Sequence, residues 1–133
     1  MTTRKLAMPE YIAQLIRLSL ARMNLQPIEA DNDTISCSLT YEDGTNLSLI
    51  VVCMAERGWF GREKPLLLLS IAALDENMRA VRIYSRDRLA IPRSPHDLPF
   101  MARLSAKVRA NAWTIAATSN KGECVSLPRL LQI

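Results

Sequence analysis

The chain has 133 residues, is 49% hydrophobic and 23% charged, and carries a formal net charge of +4. That is one domain's length and an ordinary globular composition, which excludes collagen-like, low-complexity and disordered classes. The three cysteines, Cys37, Cys53 and Cys124, are odd in number with no close pair, so neither a disulfide framework nor a zinc site is expected.

Residues 1–8 are expected to be loose. Arg4 and Lys5 look like the start of a signal peptide, but Pro9, Glu10, Gln14 and Arg17 interrupt any apolar core behind them. The apolar run at 66–74 contains Ser70 and falls far short of the ~18 residues of a membrane span. A cytoplasmic location without a membrane partner is the expectation. Pro9 suits the first turn of a helix, where its missing N–H costs nothing. Behind it, Ile12, Leu15, Ile16, Leu20 and Met23 fall on one stripe, which predicts an amphipathic helix. Asn24 is its stop, and Pro27 bars continuation.

A short edge strand is expected at 28–30, followed by a β-hairpin over 34–54. Ile35, Cys37, Leu39 and Tyr41 alternate with Thr34, Ser36, Ser38 and Thr40, the pattern of a half-buried strand. A two-residue loop at Asp43-Gly44 would set the apolar set beside Ser48, Ile50 and Val52. A three-residue loop over Glu42-Asp43-Gly44, with Gly44 left-handed, sets it beside Leu47, Leu49 and Val51, and is preferred because it makes one apolar face. Cys37 and Cys53 are then small core residues roughly 13 Å apart at ~3.3 Å per residue, beyond disulfide reach.

Residues 56–65 read as a loop by composition. Within it Trp59 and Phe60 are adjacent and flanked by glycines and charges. They either fold back as a lid over the core or form an exposed aromatic tip that anchors a partner. Residues 66–74 are apolar on both faces, as in a strand inside a sheet. A turn at Asp75-Glu76-Asn77 leads to a return strand over 78–85. Leu67, Leu69, Ile71 and Ala73 then share a face with Val81 and Ile83. The other face carries Leu66, Leu68, Ser70, Ala72, Met78, Ala80, Arg82 and Tyr84. That face is too apolar for plain solvent contact, so it lies under a helix or at a subunit interface, and a homodimer is expected.

Residues 91–99 form a proline-rich connector. Ser94, with Asp97 three residues on, resembles a capping box, and Asp97 itself is the other candidate cap. A second helix follows, with Phe100, Met101, Leu104 and Val108 as its stripe and Asn111 as its end. A third hairpin is expected over 113–118 and 123–127, turning at Asn120-Lys121-Gly122, with a short apolar tail over 128–133. The predicted order is helix, four strands, helix, two strands. That is an α+β fold: one domain over 1–133, an antiparallel sheet built from hairpins with two amphipathic helices.

Catalytic chemistry is poorly represented. His96 is the one histidine, and no spacing brings it to Cys124. There is no Gly-rich phosphate loop, metal-ligand cluster or dinucleotide fingerprint. The carboxylate pairs Glu42-Asp43 and Asp75-Glu76 fall in turns. No enzyme, cofactor or metal is expected.

The order of elements from 9 to 127 resembles the small chaperones of type III secretion effectors. In that family an α+β subunit dimerises and holds an extended partner segment on apolar patches. The resemblance implies a protein-binding module and brings no site residues with it. In this chain the candidates for that role are Trp59, Phe60, Leu66, Leu68 and Met78. The alternative is nucleic-acid binding. Residues 1–76 carry seven Lys/Arg against ten Asp/Glu, −3, whereas residues 77–133 carry ten against three, +7. Arg82, Tyr84, Arg86 and Arg88 share strand parity, and Arg103 and Lys107 follow on the second helix. Such a stripe suits phosphates, or an acidic partner.

Overall fold

The computed structural model describes residues 2–31, 34–40, 46–77 and 79–119. The elements are β1 (Thr2–Lys5), α1 (Glu10–Arg22), β2 (Ile28–Asp31), β3 (Thr34–Thr40), β4 (Asn46–Arg57), β5 (Glu63–Leu74), β6 (Ala80–Leu89) and α2 (Leu98–Ser119). Strands β2 to β6 form an antiparallel meander in chain order, and β1 adds antiparallel to β4. The fold is α+β, with an antiparallel sheet and two helices.

The first hairpin has the expected register. Ile35, Cys37 and Leu39 face Val51, Leu49 and Leu47. All six are buried, because alternation puts the apolar residues of β3 on one side and this pairing sets them beside the matching apolar residues of β4. The turn that holds Gly44 lies outside the described residues, as does Cys124. Cys37 and Cys53 are buried and unbridged. They sit opposite Leu49 and Leu67, apart along the sheet, and burial pushes the Cys37 thiol up to about 12.

One face of the sheet carries the core. Ile35, Leu49, Val51, Leu67, Leu69 and Ile71 meet Ile12, Ile16 and Leu20 of α1 and Phe100, Leu104 and Val108 of α2. The two helices also pack on each other. Both predicted apolar stripes are therefore core stripes. Helix α1 closes at Asn24, whose φ of 60° is left-handed. The Leu25 N–H donates to the Leu20 carbonyl and the Asn24 N–H to that of Ala21, each at 3.0 Å, a Schellman closure. Helix α2 is capped by Asp97: Oδ1 accepts the Phe100 N–H at 2.9 Å and Oδ2 the Arg93 N–H at 2.9 Å. Ser94 instead accepts the His96 N–H.

Four expectations need correction. Residues 2–5 are strand where a loose segment was expected: Thr2–Lys5 pairs with residues 54–57 of β4, on the edge that β3 leaves at Val52. The loop expected over 56–65 is confined to 58–62, since β4 runs to Arg57 and β5 starts at Glu63. Pro65 is tolerated because β6 pairs no further than Leu67, so no neighbouring strand asks for its N–H.

The third correction concerns β6. Ile71 pairs with Ser85 but Ala72 with Ile83, and Ala73 with Arg82 but Leu74 with Ala80. Two extra residues, Tyr84 and Val81, are thus inserted as bulges. Val81 and Ile83 leave the core face and are 65% and 48% exposed.

The fourth concerns 113–118, which continue α2 as helix. The Asn111 side chain does not stop the helix, because its amide is committed to the Lys107 carbonyl at 2.8 Å and Asp87 at 3.2 Å. The partner strand expected at 123–127 and the tail lie outside the described residues.

Candidate functional site

With both helices on one face, the opposite face of the sheet is built by the second parity of β4 and β5. Val52 faces Leu68, Met54 faces Leu66, and Ile50 faces Ser70. Each of these is half-buried. No helix among the described residues covers them. At the β1 end this face sinks into a shallow depression of about 300 Å³, lined by Thr3, Met54, Glu56, Leu66, Leu68, Arg86 and Arg88. The floor is aliphatic and the rim polar.

The rim charges have separate fates. Arg88 Nη1 lies 2.6 Å from Glu56 Oε2. Arg86, opposite Ser70 on the same face, is exposed and has no described carboxylate within ion-pair reach. Lys5 and Lys64 hold positions of the same parity, opposite Met54 and Glu56. The patch is therefore net positive, with one carboxylate among four cations.

Leu66 and Leu68 of the expected apolar face are at this site. Met78 lies outside the described residues. The expected basic stripe is not continuous. The Tyr84 bulge reverses the parity of β6, so Arg82 pairs with Ala73 and Arg86 with Ser70, on opposite faces. The Arg82 guanidinium lies 4.5 Å from the Tyr84 ring centroid, and that ring packs partly against the core. Lys107 is bound to Asp87 at 3.2 Å, and Arg103 lies 3.9 Å from Asp97. Burial raises the Asp87 carboxyl, but the Asn111 amide, the Arg88 N–H and Lys107 together hold it below its ordinary value.

Trp59 and Phe60 are 94% and 95% exposed, so they form a tip and not a lid. They are the central residues of the β4–β5 turn, closed by Gly61 N–H to the Gly58 carbonyl and Gly58 N–H to the Arg62 carbonyl, both 3.1 Å. Gly61 has φ +76°, the left-handed residue that a three-residue hairpin loop requires. Rings at those two turn positions cannot reach the core.

Met54, Glu56 and Thr3 were not singled out from the sequence. The signal for Met54 is present: Ile50, Val52 and Met54 make β4 apolar on its second face as well as its first. Glu56 and Thr3 depend on cross-strand neighbours that no periodicity reveals. Among the described residues no cluster of metal-ligating side chains occurs. No helix among them is long and apolar enough to cross a membrane. Comparison with protein families, with curated proteins and with solved structures finds no match for this chain.

Proposed function

We propose that this chain is a non-enzymatic protein-binding module, a small adaptor or chaperone-like protein that docks a partner on the uncovered face of its sheet. The observation that carries this reading is the placement of both helices on one side, which leaves Met54, Leu66 and Leu68 facing outward beneath Arg86. Apolar groups gathered in a concave patch with a polar rim suit a polypeptide surface. The partner's chemistry follows from the charges: apolar side chains for the floor and a carboxylate for Arg86. A second copy of the chain is the weaker occupant, because an isologous contact sets a net-positive face against itself. Nucleic acid is weaker again. The floor holds no aromatic to stack a base, Tyr84 is turned to the core, and Lys107 and Arg88 are engaged by carboxylates.

The test uses three baits in parallel: the wild-type chain, Leu68→Arg and Arg86→Glu, with Leu18→Arg on α1 as a control. A partner of this face is retained by the wild type and the control and released by both face variants. With the purified partner, Leu68→Arg should weaken binding roughly thirtyfold or more, the scale of an interface hot spot. Equal retention by all four baits rejects the surface. A dimer in sedimentation that Leu68→Arg dissociates assigns the face to a second copy instead. Salt-dependent binding of mixed oligonucleotides that Arg86→Glu abolishes assigns it to nucleic acid.

A further inference from the structure

We propose that the tip of the β4–β5 hairpin is a peripheral membrane anchor: Trp59 and Phe60 enter the interfacial layer of an anionic bilayer while Arg62 and Lys64 contact its headgroups. The two rings are the most exposed large apolar side chains described, at 94% and 95%. No described residue shields them. A Cβ built on Gly58 or Gly61 would meet no atom within 4 Å, so the tip stands in open space on both flanks.

The shape selects among occupants. A protein pocket that takes two rings gains most when they are held in one geometry before binding. Here glycines flank the pair, and among the described residues no side chain fixes either ring. A bilayer interface requires no such fit. It accepts aromatic rings at headgroup depth in a range of orientations.

The charges select the lipid. The hairpin stem and the adjoining β1 hold Arg4, Lys5, Arg57, Arg62 and Lys64 against Glu56 and Glu63, a balance of +3. Both carboxylates are occupied. Glu63 lies 2.6 Å from Arg4 and 3.8 Å from Arg57, and Glu56 2.6 Å from Arg88. Arg62 and Lys64, on either side of Glu63, are exposed and have no described carboxylate partner. Cations beside an inserting apolar tip are drawn to the negative potential of anionic lipid, an attraction that falls off within a Debye length. Two rings at headgroup depth beside exposed cations make an attachment that is shallow, reversible and weakened by salt.

The experiment is cosedimentation of the whole chain with vesicles of phosphatidylcholine alone and with phosphatidylserine added, at low and high salt. Tryptophan emission is followed in parallel. The expected result is binding to the serine-containing vesicles at low salt with a shift of emission to shorter wavelength, and little binding to phosphatidylcholine alone. Trp59→Ser with Phe60→Ser should abolish the shift and weaken binding at least about tenfold. Removing the charge of Arg62 or Lys64 should cost about fivefold each. These side chains are exposed, and unchanged thermal unfolding of each variant verifies that the fold is kept. Absence of vesicle binding at low salt overturns the proposal. So does binding that survives Trp59→Ser with Phe60→Ser, which would be adsorption by charge alone. So does a tip that binds a protein or an oligonucleotide and no vesicle. Lys64 also borders the sheet face, so the Arg62 variant and the Trp59 and Phe60 variant separate the tip from that face, which Leu68→Arg tests on its own.

Discussion

Asn24 and Asp97 each hold a helix end by one local interaction. Asn24 tolerates its left-handed φ better than most residues, yet glycine would do so without penalty. Asn24→Gly should raise stability by up to about 1 kcal/mol in urea unfolding, and Asn24→Val should lower it by about 1 kcal/mol or more. Asp97 brings pH into the fold. The Arg93 and Phe100 N–H groups that its carboxylate accepts hold its pKa below the usual aspartate range, with help from the Arg103 and Arg93 charges. A folded-state pKa below the unfolded value means stabilisation that is complete above about pH 4 and lost as the pH falls through the folded value. Asp97→Asn keeps a capping oxygen and removes the titration. Its unfolding midpoint should fall less between neutral and acid pH than that of the wild type. Cys37, with its thiol pushed up to about 12, should react with a thiol reagent only as the chain unfolds.

At the scale of the element, α2 is tied to β6 through Asp87, which receives Lys107 and Asn111 at 3.2 Å. Asp87→Ala should lower stability by about 1 kcal/mol, since the pair is more than a third exposed and screened by solvent. The loss should appear as faster amide exchange in α2 than in α1. This same contact explains what the sequence could and could not disclose. Ile12, Ile16 and Leu20, and Phe100, Leu104 and Val108, announce their helices because their spacing is that of a buried stripe. The pairing of Cys37 with Leu49 was readable because only that register sets the apolar face of β3 beside Leu47, Leu49 and Val51 rather than Ser48, Ile50 and Val52. The helix through 113–119 was hidden, since Thr114, Ile115 and Thr118 favour strand and Asn111 favours a stop. What overrides them includes a carboxylate on a distant strand. The bulges of β6 were hidden for a related reason: they appear only in its pairing with β5, and a period-two reading assumes none.

Across the whole molecule, the apolar second face of β5 was legible in Leu66 and Leu68, which left a covering helix or a partner as alternatives, whereas its depression required β1, which nothing in residues 1–8 foretells. The charge split along the sequence is partly erased by folding. Arg88 crosses to Glu56 of the acidic half, while Lys107 and Arg103 find Asp87 and Asp97 in their own. Arg86 is left over on the apolar face, and Arg86→Ala should therefore leave stability within about 0.5 kcal/mol of wild type while reducing partner affinity.

The two bulges of β6 have a further effect. A ten-residue strand at the rim of a sheet is a template on which other chains can polymerise. Val81 and Tyr84 interrupt its ladder twice, and Arg82, Arg86 and Arg88 load it with like charge, so no long straight run of donors and acceptors is offered to a newcomer. The protein can thus present an apolar sheet face without also seeding fibrils from its rim. Deleting Tyr84 would straighten the strand, and the resulting chain should form thioflavin-positive aggregate at concentrations where the natural one stays dispersed.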